Sequence, residues 1–87
     1  DYVATRGMRI LGNPLPGDAQ VISGESGAVT LGLLSILMQS PAMAATRESL
    51  GLDESSRVLV ISTEGDTDPQ RYLDIVWDGE IASFGKL

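Results

Sequence analysis

The run Val58-Leu-Val-Ile-Ser-Thr-Glu-Gly-Asp-Thr-Asp-Pro69 constrains this chain more than any other stretch. Branched apolar residues follow one another without a break, then stop at two hydroxyls, a glycine and a series of acids. The pattern predicts a strand over 58–61 buried on both faces, then a loop, then a helix opening at Pro69. Ligands of open α/β sheets sit beyond the carboxyl ends of the strands, which makes Ser62 and Thr63 candidates to face one. The same hydroxyls could instead only satisfy free backbone groups where a strand gives way to a loop.

A chain of 87 residues allows one small domain or part of a larger one. Its net charge of −6 provides no basic patch to neutralise phosphates, which argues against nucleic acid and against an anionic membrane surface. Small molecules or other proteins are the expected partners. The absence of cysteine excludes disulfides and thiolate metal sites. The absence of histidine removes the commonest general base, the Ser-His-Asp arrangement and most zinc sites. The apolar run from Ala28 to Met38 is broken by Thr30, Gly32 and Ser35, and it falls short of the roughly 20 residues a membrane span requires. The N-terminus lacks the layout of a signal peptide, so a cytoplasmic location is expected.

Along the chain, residues 2–11 read as the end of an amphipathic helix. Val3, Gly7, Ile10 and Leu11 share one side, Arg6 and Arg9 another, and Gly12 stands after the C-cap. Asn13-Pro-Leu-Pro-Gly17 is a loop, and Gln20 to Ser23 a short extended piece. A helix from about Ser26 to Gln39 is apolar around nearly its whole circumference, which implies burial on all sides. Ser40-Pro41 and Asp68-Pro69 both read as an N-cap followed by proline. Gly51 and Asp78-Gly79 end the helices that follow them, and Glu80 to Leu87 is a tail.

Ser23-Gly-Glu-Ser-Gly27 feeds a helix N-terminus. Its N–H groups could hold an anion with Glu25 facing a ligand, or the glycines could simply turn the chain while Ser26 caps the helix. The spacing matches neither a nucleotide P-loop nor a dinucleotide fingerprint. Glu64, Asp66 and Asp68 alternate but do not fit the EF-hand pattern, and they read as loop acids and a cap. Lys86, the only lysine, lies in the tail and is no candidate for a desolvated Schiff-base residue. Trp77 is expected to pack.

Four motifs in order carry a resemblance over nearly the whole chain: Gly12-Asn-Pro-Leu15, Ser23-Gly-Glu-Ser-Gly-Ala28, Ile61-Ser-Thr-Glu-Gly-Asp-Thr-Asp68 and Ile75-Val-Trp77. Together they resemble the C-terminal part of fold-type II pyridoxal-phosphate enzymes, the tryptophan synthase β-like superfamily, and within it the diaminopropionate ammonia-lyase family. The resemblance implies an α/β fold in which helices pack on one or two sheet strands. It implies elimination of ammonia from 2,3-diaminopropionate, with pyridoxal 5'-phosphate as cofactor, an amino-acid substrate and a homodimeric whole enzyme. By resemblance, Ser62 matches the hydroxyl at the cofactor's pyridine nitrogen, with Thr63 as its neighbour. Glu25, beside Gly24, matches a pocket residue near the cofactor ring. The lysine, phosphate loop and acid/base residues of that family have no counterpart here, so residues 1–87 are expected to be one segment of a larger catalytic domain, inactive alone. The apolar helix and the lone strand point the same way, as does a start that reads as the middle of a helix. The rival expectation is a stand-alone acidic interaction module with a purely structural hydroxyl loop.

Overall fold

The computed structural model describes residues 2–65 and 67–79. In chain order come α1 (Tyr2–Gly12), α2 (Glu25–Gln39), a 3₁₀ turn at Pro41–Met43, α3 (Ala44–Ser49) and α4 (Pro69–Val76). α1 and α2 form the main packed pair. Small residues bring them together: Gly7 abuts the Ala28 carbonyl and Gly32 the Val3 carbonyl, so a methyl at either position would meet backbone. Arg6 spans the same interface, donating from Nε to Ser35 Oγ at 2.6 Å and from Nη2 to Gln39 Oε1 at 2.8 Å.

α4 lies across α1. Met8, Ala28, Tyr72 and Ile75 form the buried core, with Leu11 and Val76 packed against it. Arg9 Nε donates to the Ile75 carbonyl at 3.2 Å and fastens α4 to α1. The buried side of α1 therefore runs through Ala4, Met8 and Gly12, and Ile10, expected on that side, is exposed. Both arginines reach neighbouring helices rather than marking a solvent face.

Local signals set the helix ends. Asp68 Oδ1 accepts the Arg71 N–H at 3.1 Å, and Pro69 opens α4, as the cap-plus-proline pattern predicts. Gly51 and Gly79 both stand at φ 72°, the left-handed conformation that stops a helix. Ser40 precedes Pro41, but its side chain makes no cap bond and a 3₁₀ turn follows rather than α-helix. α2 begins one residue earlier than expected. Its N-cap is Gly24, with no side-chain cap bond, so Ser26 is not the cap.

Two expectations fail for one physical reason. The 58–61 run forms no strand, and there is no strand among the described residues. A strand requires a neighbour to complete its ladder, and the described residues provide none, so Leu59 is left 85% exposed and Ile61 68%. α2 is apolar all round and not enclosed by the described residues, since Val29 and Leu33 are exposed, as expected of such a helix in a chain this small. Trp77 is 78% exposed and does not pack among the described residues. The tail from Glu80 to Leu87, with Lys86, lies outside the described residues.

Candidate functional site

The site forms where the loop after Ile61 crosses the first turn of α2. Gly24 N–H donates to the Glu64 carbonyl at 3.1 Å. Ser23, fully buried, lies 2.7 Å from Ser62 Oγ and within hydrogen-bonding reach of the Glu64 carbonyl at 3.2 Å. Ser62 is exposed. Its Oγ also lies 3.3 Å from the Glu64 carbonyl, a long contact for a hydroxyl. Two segments 39 residues apart thus meet through a pair of serine hydroxyls, one buried and one open.

Glycine makes this crossing possible. A Cβ on Gly27 would lie 2.6 Å from Ser23 Oγ and 2.8 Å from Glu64 N, so only a bare backbone admits the loop. A Cβ on Gly24 would collide with the Glu64 carboxylate. The free N–H groups and positive end of α2 favour a negative charge, and the chain's own Glu64 provides one.

Beside the crossing lies an open cleft of about 340 Å³, lined by Gly24, Glu25, Glu64, Asp68, Arg71 and Tyr72 among others. Glu25 Oε1 lies 3.6 Å from Arg71 Nε across it, with both side chains partly exposed. Of the expected site residues, Gly24 and Glu25 line the cleft, whereas Ser62 and Thr63 stand outside it. Thr63 is exposed. Asp68 serves as a helix cap, Glu64 covers Gly24, and Asp66 lies outside the described residues. Sequence reading missed Ser23 as the partner of Ser62 and Arg71 as the partner of Glu25, because no spacing rule links positions so far apart.

The residues present fit one face of pyridoxal phosphate and not all of it. The exposed Ser62 hydroxyl retains hydrogen-bonding capacity for a ring nitrogen, whereas the space at Gly24 and Gly27 is taken by Glu64 and Ser23. Glu25, Glu64 and Asp68 instead make the cleft unfavourable for a phosphate group.

No family model matches the chain. The diaminopropionate ammonia-lyase of Escherichia coli K12 is 51% identical over 82 residues, and that of Salmonella typhimurium 52% over 83. Each alignment covers 94% of this chain but only 21% and 20% of those proteins, respectively. The crystal structure of the E. coli enzyme in apo form matches with a TM-score of 0.87 at 51% identity, covering 94% of this chain and 23% of that one. The same enzyme in complex with an aminoacrylate-PLP azomethine reaction intermediate matches with the same TM-score, 0.87, over 22% of its chain. This chain therefore spans about a fifth of the length of the relatives it matches. Across that span sequence and fold agree, and the chain is similar over nearly its whole length to the C-terminal part of diaminopropionate ammonia-lyase.

Proposed function

We propose that this chain forms one wall of the cofactor site of a pyridoxal-phosphate-dependent diaminopropionate ammonia-lyase, which splits 2,3-diaminopropionate into pyruvate and ammonia. The observation that carries the reading is the loop crossing, in which an exposed Ser62 is held against the buried Ser23 at the start of α2. Its support from outside is the likeness to an enzyme seen with a PLP-bound intermediate.

In this reading the bound cofactor provides the electron sink for the elimination. Ser62 meets its pyridine nitrogen with a neutral hydroxyl. Unlike a carboxylate, a hydroxyl does not hold that nitrogen protonated, so the ring draws electrons less strongly. That suits an elimination in which the departing amine carries off the electron pair. Glu25, held by Arg71, lies on the ring side. The lysine that carries the cofactor and the groups that hold its phosphate belong to another part of the enzyme.

The exposed apolar surface supports that division. Val58 to Ile61, Leu33 and Trp77 are all exposed, and burying the apolar surface they still show would be stabilising, at roughly 25 cal/mol per Å². Monomeric soluble proteins rarely expose large contiguous apolar patches, which favours a segment of a larger enzyme over a stand-alone module. We infer that residues 58–61 complete a sheet whose other strands lie elsewhere in the enzyme, which gives the α/β arrangement that the sequence predicts.

The test is catalytic. Holoenzyme containing this segment is expected to release ammonia and pyruvate from 2,3-diaminopropionate, while the 87-residue chain with added pyridoxal phosphate releases neither. Loaded holoenzyme that leaves the substrate intact would overturn the assignment.

A further inference from the structure

Ser23 is completely buried, yet its oxygen lies at the shortest hydroxyl–hydroxyl separation of the crossing, 2.7 Å from Ser62. Its other acceptors, the carbonyls of Glu64 and Gly24, stand at 3.2 and 3.3 Å. Hydroxyl–hydroxyl bonds cluster near 2.7–2.8 Å and weaken as they lengthen; either serine can donate across this distance, and with Ser23 as the donor Ser62 Oγ is the nearest acceptor its proton has. A hydroxyl that accepts in this way still has its own proton to give. The remaining acceptor for Ser62 is the Glu64 carbonyl at 3.3 Å, which already takes the Gly24 N–H.

We propose that Ser23 is a positioning residue that donates its proton to Ser62 Oγ and so turns the Ser62 proton outward as the hydrogen-bond donor to the cofactor's pyridine nitrogen. The proposal rests on the assignment of Ser62 made above and adds a direction to it. Ser62 donates, and the nitrogen accepts in its unprotonated form. Gly27 belongs to the same device, because a methyl there would displace Ser23 Oγ. Ser23 itself does not touch the cofactor.

The experiment is ¹⁵N NMR of holoenzyme containing this segment, loaded with pyridoxal phosphate labelled at the ring nitrogen. Ser62→Ala removes the donor and is expected to move the nitrogen resonance. Ser23→Ala should move it in the same direction by at least half as much, and should weaken cofactor binding about fivefold, the usual worth of one hydrogen bond. Ser23→Cys, close in shape but a poor donor, should give the same sign with less disturbance of packing, and it serves if the alanine variant does not fold. If Ser62→Ala moves the resonance while Ser23→Ala and Ser23→Cys leave it in place, Ser23 is only structural and the proposal is overturned. A resonance that Ser62→Ala fails to move refutes the assignment of Ser62 itself, and the proposal with it.

Discussion

Gly24 and Glu64 meet twice: the Gly24 N–H donates to the Glu64 carbonyl at 3.1 Å, and the Glu64 carboxylate occupies the space a Gly24 side chain would need. The first contact is backbone, the second the far end of a flexible side chain. They therefore respond differently to mutation.

Gly24→Ala only has to push a mobile carboxylate aside. It is expected to cost less than about 1 kcal/mol, near the worth of a surface charge at a helix N-terminus. Gly27→Ala meets Glu64 N at 2.8 Å and its carbonyl at 2.9 Å, which cannot swing away. A cost of about 1–3 kcal/mol is expected, as for overpacking elsewhere, together with separation of Ser23 from Ser62. Urea denaturation of the two variants checks the order, and equal costs would contradict it.

The α1–α2 interface should be the least tolerant part of the fold. Gly7→Ala places a methyl against the Ala28 carbonyl and 2.9 Å from Gly32 N, and Gly32→Ala does the same at the Val3 carbonyl. Helix propensity favours alanine over glycine by about 1 kcal/mol. Overpacking against backbone outweighs that gain. Both variants are expected to lose stability in thermal denaturation, despite being better helix formers.

Asp53 gives a pH-dependent local turn. The Ser55 hydroxyl donates to its carboxylate at 2.6 Å and the Ser55 N–H at 2.9 Å, with Ser56 more distant. These bonds, the Ser55 hydroxyl foremost, hold the carboxyl below its ordinary value. A depressed folded value means that the turn's contribution is fully present above the ordinary carboxylate range and is lost as pH falls through the folded value. Carboxyl ¹³C titration should show Asp53 protonating below an exposed aspartate. In Ser55→Ala the midpoint should move up, and an unchanged midpoint would contradict the assignment.

The helices were legible where local chemistry decides them. Asp68-Pro69 caps and starts α4, and Gly51 and Gly79 stop helices through positive φ. Those residues act on their immediate neighbours, so the chain needs nothing distant to obey them. The strand at 58–61 was legible as a tendency and absent as a structure, because a ladder needs a second strand that the described residues do not contain. The site was half legible. Motif resemblance singled out Gly24, Glu25, Ser62 and Thr63, but nothing local reveals that Ser23 stands behind Ser62 or that Arg71 reaches Glu25. Trp77 was misread for the same reason as the strand: its apolar surface faces open space among the described residues.

The central claim is that the Ser62 hydroxyl, held by Ser23, is the partner of the cofactor's pyridine nitrogen. The most direct measurement is the visible absorbance spectrum and turnover of Ser62→Asp holoenzyme. A carboxylate at that place should hold the nitrogen protonated, shift the bound cofactor's absorbance and lower the rate of ammonia release from 2,3-diaminopropionate. A spectrum and rate both identical to those of the unaltered enzyme would contradict the account.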